Sequence, residues 1–314
     1  MSRTPRRLLA IACSLLGLPL AVGCAALPRS NAGSQTLELR DIAYRGAGPD
    51  ALRLDVRLPE GPMPRGQRPA ILVLHPGGWT SGSKEHMRGA AETLARAGFV
   101  VVVPEYRLAP KHRFPAQLED VRDAVRWVRR NATELGIDPL RIGAFGYSAG
   151  AHLAALLATH PAEGAQIQAV AVGGTPADLL ALPPNGRTRA LFGAAASEAP
   201  GRYSDASPLT HVSADDPPFS ILHGRFDWII DIGQARALRD ALRERGVPTA
   251  YRESWLGHFA IFLFQDGGAA SSIDFFDRWL RRSDALAAVP EPAIDTARWP
   301  APRPLAMRPA TEAE

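Results

Sequence analysis

Five short, mostly apolar runs recur along this 314-residue chain, two of them uninterrupted, each followed or preceded by a helical pattern. They are Ala70-Ile71-Leu72-Val73-Leu74, Phe99 to Val103, Arg141 to Gly146, Ile167 to Val172 and Phe219 to Leu222. A strand exposed on one face alternates apolar and polar residues. A continuous run of this length predicts a strand buried on both faces, the condition of a parallel sheet. Helices are expected at 84–97, at 115–133, from Ser148 onward, at 232–245 and at 268–282. In the second, Pro115 opens the helix and Leu118, Val121, Val125 and Val128 form its apolar stripe. Strands alternating with helices make a mostly parallel α/β sheet covered on both sides. Two further strands precede the first run, at 37–44 and at Leu52 to Leu58, and the second of these alternates strictly, as an antiparallel strand does. A Gly/Pro loop follows from Gly61 to Pro69, and the last strand is expected at Ala250 to Glu253.

Two regions depart from the alternation. Residues 176–215 carry Pro183, Pro184, Gly186, Gly193 and Gly201 between short apolar pieces, and read as an insertion over the strand ends that contributes to a substrate wall. Residues 284–314 form a Pro/Ala-rich tail with Pro290, Pro292, Pro300, Pro302, Pro304 and Pro309. The catalytic domain is therefore expected over 36–283.

The N-terminus has the form of an export signal. Arg3, Arg6 and Arg7 precede the apolar run Leu8 to Val22, too short to span a bilayer. It ends in Leu20-Ala21-Val22-Gly23-Cys24, which resembles the lipobox of bacterial lipoproteins. That resemblance implies cleavage after residue 23, acylation of Cys24, a tether over 24–35 and a membrane-anchored protein of the cell envelope. Ordinary cleavage nearby, with Cys24 a bystander, is the alternative. Loss of the three leader arginines lowers the net charge from +4 to about +1, so net charge gives no case for a nucleic-acid partner or an anionic membrane surface. The only other cysteine, Cys13, lies in the leader, so the mature body has no disulfide and no thiol chemistry.

Chemistry concentrates at the ends of the apolar runs. Gly146-Tyr147-Ser148-Ala149-Gly150 stands between a strand and a helix, the setting in which small residues allow a sharp turn that lifts a serine above the sheet. A capping serine would serve the helix alone; here Ser148 is the candidate nucleophile. His75-Pro76-Gly77-Gly78-Trp79 follows the first run. The N–H groups of Gly77, Gly78 and Ala149 are candidate oxyanion donors. His223-Gly224-Arg225-Phe226-Asp227 follows the run at 219–222 and offers Asp227 as the acid that orients the base. Asp231 begins the next helix and reads as its cap. Gly257-His258-Phe259 places His258, the candidate base, in a loop after the last strand, and the order Ser148, Asp227, His258 suits an α/β-hydrolase. Of the other histidines, His75 and His223 read as structural members of their loops and His152 as packing. Trp79, Tyr147, Trp228 and Phe259 each adjoin a catalytic motif; they either line an acyl or aryl pocket or pack the loops. No His, Cys, Asp or Glu grouping has metal-ligand spacing, and no cofactor is expected.

Over residues 50–282 the chain resembles the hormone-sensitive-lipase and acetyl/feruloyl-esterase branch of the α/β-hydrolases. The resemblance is carried by His75 to Trp79, Tyr106-Arg107-Leu108-Ala109-Pro110, Phe114-Pro115-Ala116, the serine turn and the Asp227 and His258 motifs. It implies an α/β-hydrolase fold and hydrolysis of small acyl or aryl esters through an acyl-enzyme. Pro76 stands where the family usually has glycine, but the expected donors at Gly77 and Gly78 remain. Tyr147 stands where many relatives carry Asp or His, and the long helical N-terminal cap of some relatives is missing, which implies a more open site. A formamidase or peptidase using the same triad is the rival enzyme reading, and acyl transfer to an alcohol differs only in the acceptor. A catalytically silent ligand-binding surface lipoprotein is the rival of another class.

Overall fold

A computed structural model describes residues 36–59 and 68–281. The leader, Cys24, most of the Gly/Pro loop and the tail from 284 lie outside the described residues.

The sheet has eight strands. They are β1 (Thr36–Arg45), β2 (Leu52–Pro59), β3 (Arg68–Leu74), β4 (Val100–Pro104), β5 (Ile137–Tyr147), β6 (Ala169–Gly173), β7 (Phe219–Gly224) and β8 (Thr249–Ser254). Their order is β1-β2-β4-β3-β5-β6-β7-β8. The first two join antiparallel, and every pair from β4 to β8 is parallel. Pro69 falls within β3 rather than in the preceding loop, and β5 begins at Ile137, earlier than its apolar run, with Ile137 opposite Arg68.

The uninterrupted apolar runs have a direct physical explanation. Successive side chains of a strand point to opposite faces. Leu72, Leu74, Val100 and Val102 pack into one core layer, whereas Ile71, Val73, Val101 and Val103 pack into the other. The first layer is closed by α2 (Ala116–Arg130), α4 (Ala149–Thr159) and α7 (Ile232–Glu244), and the second by α1 (Arg88–Arg96) and α9 (Ala269–Phe276). Within α2, Leu118, Val121, Val125 and Val128 are buried, as their helical spacing predicts. Strand β6 is buried at all five positions.

The stretch 176–215 contains two short helices, α5 (Gly186–Phe192) and α6 (Pro200–Asp205). Asn185 caps α5, accepting from the amides of Arg187 and Thr188. The helix expected over 115–133 breaks at Asn131 and resumes as α3 (Ala132–Leu135), and α8 (His258–Gln265) falls where no helix was expected. They complete the set α1–α9.

The chain leaves β3 to one side to form β4, then returns to place β5 on β3's other side. The loops after β3 and β5 therefore diverge at the carboxyl edge of the sheet. Crevices of open α/β sheets form at such a reversal. Leu74 lies level with Gly146 across the β3–β5 pair, so the His75–Trp79 loop and the serine turn emerge side by side.

Candidate active site

Ser148 follows β5 with φ 53° and ψ −119°, a left-handed conformation that a serine adopts only under constraint. The constraint is close packing. A Cβ on Gly146 would lie 2.3 Å from the Gly150 carbonyl oxygen, and one on Gly150 would lie 2.1 Å from that of Leu74. Only glycine fits at either place. Ser148 stands just before α4 without a capping hydrogen bond from its side chain, and its amide donates to the Gly173 carbonyl at the end of β6 (2.8 Å).

His258 approaches from the other side. Its ring sits beside Gly174, where an added Cβ would stand 2.9 Å from Cε1. Ser148 and His258 thus flank the same Gly173–Gly174 corner. His258 Nδ1 donates to Asp227 Oδ2 (2.6 Å), which fixes the tautomer and leaves Nε2 free to accept a proton. His258 is the first residue of α8, not a loop residue as its sequence setting suggested. Eight residues, all but His258 and Gln265 apolar, carry neither the polar face nor the length by which amphipathic helices are recognised.

Asp227 is held from several directions. Its Oδ1 accepts from the amides of Ile229 (3.0 Å) and Ile230 (2.9 Å). His223 Nε2 lies 3.4 Å from Oδ2 while donating to the Ile230 carbonyl (2.8 Å). Burial pushes the Asp227 carboxyl up. The hydrogen bond and charge of His258, with the Ile230 amide, outweigh it and hold the group below its ordinary value. His223 lies within β7, not in the loop after it as its sequence setting suggested, and its spacing of four residues from Asp227 was the available signal of their contact. Asp231 caps α7, accepting from the Gly233 amide (2.7 Å).

The His75–Trp79 loop is braced from behind. Tyr106 Oη donates to the His75 carbonyl (2.7 Å), and the two rings stack at 4.0 Å. The Ala109 amide donates to the Trp79 carbonyl (2.9 Å), and Arg107 is fixed by Asp120. The Tyr106–Pro110 motif therefore works as the scaffold of this loop. Among the described residues no acceptor takes the amides of Gly77 or Gly78. The amide of Ala149, at the first position of α4, has no intrahelical partner by geometry.

A cleft of about 610 Å³ opens over Ser148, Ala149, Gly78 and Trp79. The stretch 176–215 supplies Pro176, Leu182, Pro183, Asn185, Gly186 and Arg187 to its wall, and Trp228 to Ile230 supply another side. A second groove, about 490 Å³, lies between β8 and α9 and contains none of these groups. Trp79 lines the cleft with its indole N–H donating to His152 Nδ1 (3.1 Å). Trp228 lines it with 80% of its surface exposed, and Phe259 meets Trp228 at 6.2 Å. Tyr147 corrects the expectation of a substrate contact. It is buried, its ring lies 5.0 Å from that of His258, and its hydroxyl donates to the His258 carbonyl (2.7 Å). A side chain next to the nucleophile on a strand points away from the cleft, so Tyr147 supports the base from below.

Burial lowers His75 and His152 from 6.5 to about 4. Both stay neutral in the folded protein while the unfolded chain protonates. Their contribution is intact above the unfolded value and is lost as pH falls from about 6.5 to 4, by up to about 3 kcal/mol each. Urea midpoints measured across this range should fall steeply on the acid side; a flat profile contradicts the burial of both rings.

Sheet order, serine turn and loop arrangement define an α/β-hydrolase fold. Residues 54–242 match the BD-FAE family, and the chain belongs to it. It is 32% identical to the probable carboxylic ester hydrolase LipM of Mycobacterium tuberculosis, over 76% of this chain and 60% of that protein. It is 33% identical to esterase LipQ of the same organism, over 79% and 62%. The chain thus spans about three-fifths of the length of these curated relatives. The native structure of Thermogutta terrifontis esterase 2 superposes with a TM-score of 0.65 at 27% identity, covering 80% of this chain and 95% of that one.

Proposed function

We propose that this protein is a serine carboxylesterase acting on small acyl or aryl esters through an acyl-enzyme. The observation that carries the reading is the Asp227–His258 pair, with Nδ1–H committed to the carboxylate, standing across the Gly173–Gly174 corner from the strained Ser148. Ser148 Oγ attacks the ester carbonyl as His258 Nε2 takes its proton. The oxyanion is held by the amides of Gly77, Gly78 and Ala149. His258 then protonates the leaving alcohol, and water, activated by the same imidazole, releases the acid and restores Ser148. The esterase names of the relatives support this reading. Purified protein should hydrolyse p-nitrophenyl acetate and butyrate in preference to the matching p-nitroanilides. Faster cleavage of the anilides would point to the amidase reading instead, and loss of neither substrate to the ligand-binding one.

The same proposal places the protein in the cell envelope through acylation of Cys24. Cells fed an alkyne-tagged fatty acid should yield a labelled protein, and Cys24→Ser should abolish the label. Labelling that survives the substitution rules out this anchor.

A further inference from the structure

Nine large apolar side chains are exposed among the described residues, and six of them lie between positions 226 and 264: Phe226, Trp228, Trp255, Phe259, Leu263 and Phe264. They come from the turn after β7, the turn after β8 and α8. The three segments form one surface. Phe226 meets Trp255 at 6.0 Å, Trp228 meets Phe259 at 6.2 Å, and the Gly257 backbone lies against the Phe226 carbonyl. Trp228 also lines the cleft, so this surface runs up to its mouth. Helix α8 buries only His258 and Ile261, while Phe264 is 81% and Leu263 67% exposed. Leu263 stands one helical turn after Phe259 and extends its face of α8, with Phe264 next to it. An apolar surface of this kind marks an interaction site.

We infer that this surface seats the cleft on a lipid layer, from which esters bearing an apolar chain enter the site. The inference rests on the esterase reading for the enzyme's use of the surface, but not for the docking itself. Three features favour a lipid layer over a protein. From Trp255 to Gln265 the only ionisable side chain is the buried His258, so nothing charged must enter the apolar phase. Indole rings border the patch at Trp228 and Trp255, the residue type favoured where hydrocarbon meets water. Beside them Arg225 lies over the Trp255 ring at 4.4 Å and shares Glu253 with Arg236, leaving one positive charge to meet anionic headgroups. Among the described residues no helix is long and apolar enough to cross a membrane, so α8 would lie in the interface plane.

The test uses the full chain, its N-terminus untouched, against Leu263→Gln/Phe264→Gln. Soluble p-nitrophenyl acetate should be turned over equally by both. A long-chain acyl ester embedded in phosphatidylglycerol/phosphatidylcholine vesicles should be hydrolysed about a hundredfold more slowly by the variant, since each of the two large side chains withdrawn from lipid costs about tenfold. Equal rates on vesicles would overturn the inference. So would a parent protein that is dimeric by light scattering and becomes monomeric on substitution, because the patch would then join two copies. If the parent hydrolyses neither ester, the esterase reading fails by itself. Docking is then decided by emission from Trp255: brominated phospholipid should quench the parent more than Trp255→Phe, and equal quenching would overturn it.

Discussion

Ser148→Ala is expected to lower kcat/KM for a short-chain aryl ester by about 10⁶-fold while leaving the fold intact. The substitution removes one oxygen. No side-chain hydrogen bond from Ser148 caps α4, so the helix loses no partner. The left-handed backbone at this position is imposed by the packing of Gly146 and Gly150, and alanine bears the same strain as serine there. What remains is binding and the amides of Gly77, Gly78 and Ala149, which by themselves still accelerate hydrolysis roughly 10³–10⁴-fold over water. Circular dichroism and the thermal midpoint should match those of the parent. A variant that keeps most of its turnover would remove Ser148 from the mechanism.

Asp227→Asn should cost about 10⁴-fold in kcat with little change in stability. The isosteric side chain keeps one carbonyl oxygen, and the amides of Ile229 and Ile230 both require it. The asparagine must then turn its NH₂ toward His258 Nδ1, the atom that donates to Asp227 Oδ2 in the parent. A donor facing Nδ1 forces that nitrogen to accept, which moves the ring proton to Nε2. An imidazole protonated at Nε2 cannot take the proton of Ser148 Oγ. The defect is therefore one of tautomer, and it appears in kcat more than in KM. Unchanged kcat would mean that Asp227 serves the loop alone.

The strands were legible because burial on both faces leaves a mark in sequence. Ile71 and Val73 face one layer, and Leu72 and Leu74 the other, so none of them could be polar. The three candidate catalytic residues were legible for a related reason, since each follows the carboxyl end of a strand, β5, β7 or β8. What stayed hidden depends on contacts between segments distant in sequence. Tyr147 adjoins Ser148 along the chain, yet the strand sends its ring to the opposite side, under the His258 carbonyl. Helix α8 has neither the length nor the polar face that identifies a helix, so His258 read as a loop residue. The grip of His152 on Trp79 joins two positions 73 residues apart. The exposed face at Trp255, Leu263 and Phe264 has no mark in the sequence, and it emerges only where the neighbouring elements fail to cover these side chains.

The central claim is that one serine, raised on its turn and served by the Asp227–His258 pair, is the nucleophile. A fluorophosphonate probe followed by peptide mass mapping tests it most directly. The account predicts one adduct per chain, on Ser148, with loss of esterase activity in proportion to labelling and no adduct in Ser148→Ala. Labelling at another residue, or full activity in a protein whose Ser148 is blocked, would contradict it.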